Sequence, residues 1–198
     1  MAPDTQRPGL TPDRVVQEAL ALAAEQGTDQ VTLRPLAARL GVSAPALYRH
    51  VDSRGTLLEL MLEHRLAVVP RVPDGLDWRA TFDGSAQRIW SVYRPCPGLA
   101  AESLDGRAAT EETRTEAEQL VGVLVDAGLE RPAAERAAVC WVHWALSFLA
   151  SVERRQGAGV PFAQLPDRLP DPVREVYDQG AGYLLAGLAA EIAAANAG

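Results

Sequence analysis

The chain predicts an all-α protein, with an N-terminal three-helix helix-turn-helix unit followed by a larger C-terminal helical domain. Three observations carry that expectation. Apolar residues recur at helical spacing, as in Val15, Val16, Ala19, Leu22 and Ala23 and again in Leu33, Leu36, Ala37 and Leu40. The periodic segments open on capping residues and close on glycine or proline. Residues 32–58 place two short capped helices around one glycine turn and run directly into a third helix.

In chain order, residues 1–10 are polar, hold two prolines and read as a disordered arm. Arg7 could serve a minor groove, although a fraying terminus is the preferred reading. Thr11-Pro12-Asp13 starts a helix with a cap, an N1 proline and an acid in the first turn, and Gly27 ends it. Thr32 is placed to cap the second helix through its hydroxyl. Gly41 and then Val42 form a Schellman-type stop. Ser43 caps the third helix, and Pro45 falls in its first turn, where a missing N–H is harmless. A fourth helix over 56–69 turns Leu57, Leu58 and Met61 inward and connects residues 11–55 to the remainder. Pro70 and Pro73 end it in a linker.

The second helix of such a unit can read the major groove. Between Val31 and Val51 lie three arginines (Arg34, Arg39, Arg49) and His50, with no carboxylate. A face that meets phosphates lacks acids and presents arginine. Tyr48 and Ser43 can donate to phosphate oxygens, while Ala44, Pro45 and Ala46 are small enough to let a helix approach base edges. On these residues alone, a surface hairpin with chance charge segregation competes evenly with a DNA-reading unit.

The stretches VTLRPLAARLGVS, APALYRHV and DSRGTLLELMLEH, with LTPDRVVQEALALAAEQG upstream, resemble the DNA-binding domain of the tetracycline-repressor (TetR/AcrR) family of transcriptional regulators. The resemblance covers residues 10–65. It implies a DNA-facing surface of Thr32, Arg34, Ser43, Ala44, Pro45, Tyr48, Arg49, His50 and Arg54. In that family the residue matching Arg34 commonly reaches a base, and those matching Thr32, Tyr48 and Arg54 reach phosphates. Asp52 departs from the pattern, standing where many members carry lysine.

The net charge of −7 at first argues against nucleic acid. Residues 1–70 carry 7 Arg against 8 Asp and Glu, a net of −1, and residues 71–198 carry 12 against 18, a net of −6. The acidity is therefore mostly C-terminal. No apolar run approaches the ~20 residues of a membrane span, and MAPDTQRPGL has no signal-peptide core. Cys96 and Cys140 make no disulfide framework, so the expectation is a reduced, cytoplasmic chain.

Residues 71–198 read as helical in the segments 78–93, 99–104, 110–127, 132–155 and 173–194, with a Gly- and Pro-rich loop over 156–172. Residues 137–152 are apolar nearly all round, interrupted only by His143 and two serines. Such a helix is buried on more than one side, one facing the domain core and the other a second subunit. The glycines at 180 and 187 suggest close backbone approach in the last helix. This layout resembles the family's four-helix dimer interface, which implies a C-terminal ligand-binding and dimerisation domain.

Motifs for catalysis such as HExxH, CxxC, GxSxG or a phosphate-binding glycine loop do not occur, so no enzyme, cofactor or metal is expected. Cys140 and His143, at i and i+3, could share a metal face, but without acid partners the packing reading is preferred. Trp90, Tyr93, Trp141, His143, Trp144 and Phe148 read either as plain core or as the wall of an apolar ligand cavity with His143 as polar anchor. The expected partners are a double-stranded DNA operator, a small apolar or aromatic effector and a second copy of the chain, with no membrane. The alternative is an architectural or protein-recruiting DNA-binding module without a small-molecule ligand.

Overall fold

The computed structural model describes residues 10–156 and 171–197, so residues 1–9 of the expected arm and 157–170 of the expected loop lie outside the described residues. Among the described residues are nine α-helices, one 3-10 turn and no strand. Helix α1 (Pro12–Gln26) is capped by Thr11, whose hydroxyl accepts from Arg14 N at 3.2 Å. It buries the expected stripe of Val15, Val16, Ala19, Leu22 and Ala23. A 3-10 turn (Thr28–Gln30) leads to α2 (Leu33–Leu40). Thr32 occupies the cap position of α2, but its hydroxyl makes no capping bond, contrary to expectation. Gly41 is left-handed at φ 68°, and Val42 N donates back to Ala37 O at 3.0 Å, closing the Schellman stop.

Helix α3 (Ala44–Leu47) is shorter than the sequence suggests. Ser43 Oγ caps it at Ala46 N, and the chain then tightens through His50 N to Leu47 O, leaving residues 48–50 in a turn. Helix α4 (Arg54–Val68) begins two residues before the expected 56, because Ser53 Oγ takes Thr56 N at 3.0 Å and so sets the cap.

The C-terminal domain holds α5 (Trp78–Tyr93), α6 (Leu99–Leu104), α7 (Glu111–Asp126), α8 (Arg131–Gln156) and α9 (Asp171–Ala197). Asp77 caps α5, and Thr110 and Thr113 form a reciprocal capping box on α7. No helix among the described residues is long and apolar enough to cross a membrane.

Two apolar cores meet along α8, whose 26 residues span about 39 Å at the helical rise. Its C-terminal half (Leu146, Leu149, Ala150, Val152) belongs to the same core as α1 to α4 and α6. Its N-terminal half (Ala134, Ala138, Trp141) packs with Phe82, Leu120, Leu124, Ala181, Leu185 and Leu188. One helix thus belongs to both cores. Its outer side exposes Val139, Cys140, His143 and Ser147. Beside it, Val176 and Tyr183 of α9 are among the most exposed large apolar residues.

Candidate functional site

Burial of Leu36, Leu40, Leu47, Val51 and Leu57 fixes α2 and α3 against α1 and α4. What remains outside is the polar surface between them. Arg34, Ser43, Pro45, Tyr48 and Arg49 are exposed, with Thr32, Ala44 and His50 half-buried. Tyr48 keeps 53% of its surface. The side chains of Arg34, Tyr48 and Arg49 make no ion pair with a described residue. Arg39 is different. Its guanidinium bridges Glu18 and Glu25 of α1, and the hydrogen bond from Arg39 holds the Glu25 carboxyl below its ordinary value. Arg39 therefore locks α2 to α1, and Arg34 and Arg49 are the arginines the segment leaves available.

Arg54 is not placed as the sequence suggested. Its guanidinium turns inward, donating to Val31 O at 3.1 Å, Thr28 O at 3.0 Å and Glu102 Oε1 at 2.7 Å. Glu102 on α6 is a buried carboxylate, 5% exposed, that also pairs with Arg107. A buried carboxylate is costly unless paired, and it draws Arg54 away from the outer surface. Asp52, the departure in the family pattern, accepts from Thr56 Oγ1 at 2.6 Å on the first turn of α4.

In the C-terminal domain, the six aromatic and polar residues expected around one pocket are divided. A cavity of about 370 Å³ is walled by Leu66, Ile89, Val92, Leu120, Val142 and Leu146, and Tyr93 and His143 are the two expected residues that line it. A wider, more open cleft of about 640 Å³ between α5, α8 and α9 is lined by Trp90 and Trp141 together with Arg79, Asp83, Arg174 and Tyr177. Trp144 and Phe148 line neither. Trp144 packs on Tyr177 in a tilted arrangement and Phe148 meets it edge-on, at centroid distances of 4.8 and 5.2 Å, and both fasten α8 to α9. Helix α9 can come this close because Gly180 has no Cβ; one added there would stand 3.0 Å from the Trp144 ring. His143 faces outward and engages its own helix through Val139 O, so its imidazole is no buried anchor.

Arg88 is 5% exposed and lines the smaller cavity. Its guanidinium donates to Leu66 O and Val69 O at the end of α4 and pairs with Glu116 and Glu112 of α7. Desolvation raises the Glu116 carboxyl, with Arg88 opposing. The available signal was periodicity, since Thr81, Ser85, Arg88 and Val92 fall on one helical stripe of α5. One end of the cavity therefore holds the end of α4 in place. One turn earlier on α5, Ser85 also lines the cavity, and its hydroxyl accepts from Trp141 Nε1 at 2.8 Å. Among the described residues, no group of three or more His, Cys, Asp or Glu comes together to hold a metal.

Residues 15–61 match the sequence profile described as bacterial regulatory proteins, tetR family. The transcriptional repressor DrrR1 of Streptomyces coeruleorubidus is 37% identical over 95 residues, which cover 47% of this chain and 35% of that protein. The class A tetracycline repressor from transposon 1721 of Escherichia coli is 43% identical over 83 residues, 39% of this chain and 38% of that protein. The chain thus spans little more than a third of the length of these relatives. A tetracycline-repressor variant from Acinetobacter baumannii AYE in complex with minocycline superposes with a TM-score of 0.76 at 24% identity, covering 93% of this chain and 99% of that one. BioQ with its natural double-stranded DNA operator gives 0.73 at 23%, covering 92% and 99%. At these identities the two structures establish the shared fold.

Proposed function

We propose that this chain, whose residues 15–61 match the tetR family of bacterial regulatory proteins, is a ligand-responsive transcriptional repressor of that family. On this reading it binds a pseudo-palindromic double-stranded operator as a homodimer and is released by a small apolar or aromatic molecule. The observation that carries the reading is the arrangement of α4. Its N-terminal end follows the acid-free segment that exposes Arg34, Tyr48 and Arg49, and its C-terminal end is held by Arg88 in the wall of the smaller cavity. An effector works only by favouring one arrangement of the reading heads over another. A ligand beside Arg88 touches the group that fixes the end of α4.

The cavity supports an effector with an apolar body and few polar groups, because its wall is Leu66, Ile89, Val92, Leu120, Val142 and Leu146. Dimerisation is supported by the outer side of α8 and α9, where Val139, Val176 and Tyr183 are exposed and Gly182 and Gly187 face open space. The architectural reading, without a ligand, is disfavoured by the largely apolar pocket of about 370 Å³ that α5, α7 and α8 leave unfilled.

The test starts from an operator selected out of random duplex DNA. Operator affinity is then followed by fluorescence anisotropy against a library of apolar and aromatic compounds, for the wild type and for Ala138→Leu, which narrows the cavity. The expected result is at least one compound that weakens wild-type binding while leaving Ala138→Leu bound. A library without any such compound returns the architectural reading. Light scattering that shows a monomer at micromolar concentration excludes the homodimer.

A further inference from the structure

One peptide unit joins the C-terminal domain to the start of the helix-turn-helix. The carbonyl of Pro97 accepts from Thr28 N at 2.7 Å. The N–H of the same amide, on Gly98, donates to Glu153 Oε2 of α8 at 2.9 Å. Thr28 is gripped a second time at its own carbonyl, which accepts from Arg54 at 3.0 Å, and Arg54 is held by Glu102. Thr28 is buried. Gly98 lies at φ +92°, and a Cβ on it would overlap the Thr28 hydroxyl, so the two backbones approach as closely as glycine permits. Hydrogen bonds that share one amide polarise each other, and a negative charge at the Gly98 end strengthens the bond at the Thr28 end.

We propose that Glu153 is a positioning residue for the DNA-reading unit: through the Pro97–Gly98 amide, its carboxylate sets how firmly Thr28, and the helix-turn-helix behind it, is held to the C-terminal domain. The proposal rests on the DNA-binding reading above. The ionised carboxylate makes a charge-assisted bond to Gly98, roughly twice as strong as its neutral counterpart. Glu153 Oε1 is buried and has no hydrogen-bond partner among the described residues, so a proton placed there gains no bond. The neighbouring groups that titrate or carry charge are Arg154 on the same helix and Cys96 from the α5–α6 connection, with Arg65 of α4 acting on that cysteine. Burial pushes the Cys96 thiol up to about 12, so it stays neutral. Burial also pushes Glu153 up to about 7, against the opposing pull of Gly98 N–H and Arg154. The grip therefore tightens as pH rises through neutrality. A reading unit already held in place loses less freedom on docking, so the ionised form binds DNA more tightly.

The experiment compares wild type, Glu153→Gln and Glu153→Asp between pH 6 and 8.5 at fixed salt. Operator affinity of the wild type is expected to rise about fivefold relative to Glu153→Gln, the worth of a charge-assisted over a neutral hydrogen bond. Native-state hydrogen exchange of the Thr28 and Gly98 amides, corrected for intrinsic chemistry, should slow over the same interval in the wild type only. The amides of α1 should exchange alike in all three proteins. Glu153→Asp, whose charge is one carbon short of Gly98, should lose Thr28 protection while remaining folded. Identical pH profiles for wild type and Glu153→Gln, or faster exchange throughout the molecule, would overturn the proposal. The exchange measurement needs no DNA, so a protected, pH-dependent Thr28 in a chain that selects no operator rejects the DNA reading and leaves the grip standing.

Discussion

Glu102→Gln weighs the junction between the two halves. The native carboxylate is 5% exposed and takes hydrogen bonds from Arg54 at 2.7 Å and from Arg107. Glutamine keeps the volume and one acceptor but turns an NH₂ toward a guanidinium. A hydrogen bond to a charged group contributes about 1.5–3 kcal/mol; with glutamine only the guanidinium remains charged, which keeps the lower end of that range and loses the ion pair. The Arg107 pair is half-exposed on its basic side and adds little. The expected loss is therefore about 1–2 kcal/mol, or roughly 2–8 °C in Tm for a chain of this size. The loss also carries a pH signature. Desolvation pushes the Glu102 carboxyl up, but the bonds from Arg54 and Arg107 outweigh it, and the net shift is below the ordinary 4.5. A depressed carboxyl contributes stability that is complete above its unfolded value and disappears as pH falls through its folded value. The gap between wild type and Glu102→Gln should thus be full at pH 7 and close in acid. Thermal unfolding followed by circular dichroism at pH 7 and at several values below 4.5 measures it. Equal Tm values at neutrality, or a gap that widens in acid, would refute the assignment of Glu102 as a paired, charged support for Arg54.

Other substitutions probe the remaining parts of the molecule. Tyr48→Ala should weaken binding to all duplexes alike, whereas Arg34→Ala should cost ~1–3 kcal/mol on the selected operator and relax preference at one base pair; equal affinity profiles for both variants and the wild type, in anisotropy at fixed salt, remove this surface from DNA recognition. Gly98→Ala forces a side chain into positive φ against Thr28 and should destabilise by roughly 2 kcal/mol or more, read from the urea midpoint. Trp144→Ala, which removes the ring packed on both Tyr177 and Phe148, should cost about 2–3 kcal/mol and raise exchange along α9; a variant of wild-type stability with an altered effector response would put Trp144 back in the ligand site.

The sequence was informative wherever one residue's chemistry acts on its own neighbours. Thr11 and Ser43 cap the helices that their positions suggest, and Gly41 stops α2 with the expected reverse bond. Helix α4 began at Arg54 for a local reason too, since Ser53 accepts the Thr56 N–H and sets the cap, whereas Thr32 holds its cap position without a side-chain bond. Partnerships across distant segments were not legible. Arg54 meets Glu102 across 48 residues and Gly98 meets Glu153 across 55, and no periodicity encodes such a meeting. The aromatic set was found as a list and read as one wall, but a cavity is the space that helices leave unfilled, and Trp144 and Phe148 fill theirs by packing on Tyr177.

Magnitudes decide where a molecule like this one can bend. Helices α1 to α4 share a core that buries Leu22, Leu36, Leu40, Leu47, Leu57, Leu58, Met61 and Leu62. Each such side chain stabilises by about 1.5–3 kcal/mol, so opening that core exceeds anything an effector supplies. Effector coupling is typically ~1–3 kcal/mol, equivalent to roughly 5- to 150-fold in DNA affinity. The joint between the halves includes bonds of that size, from Thr28 to Pro97, from Gly98 to Glu153, and from Arg54 to Glu102. Each is worth on the order of 1 kcal/mol, more where a charge is involved. The same core runs on into Leu99, Ala100, Leu146 and Leu149 of the C-terminal domain, so the helix-turn-helix should shift as a rigid body without parting from it, with the change concentrated at Thr28, Gly98 and the ends of α4. Exchange that rises first in α1 or α2 would contradict this, because it would place the weak point inside the apolar core.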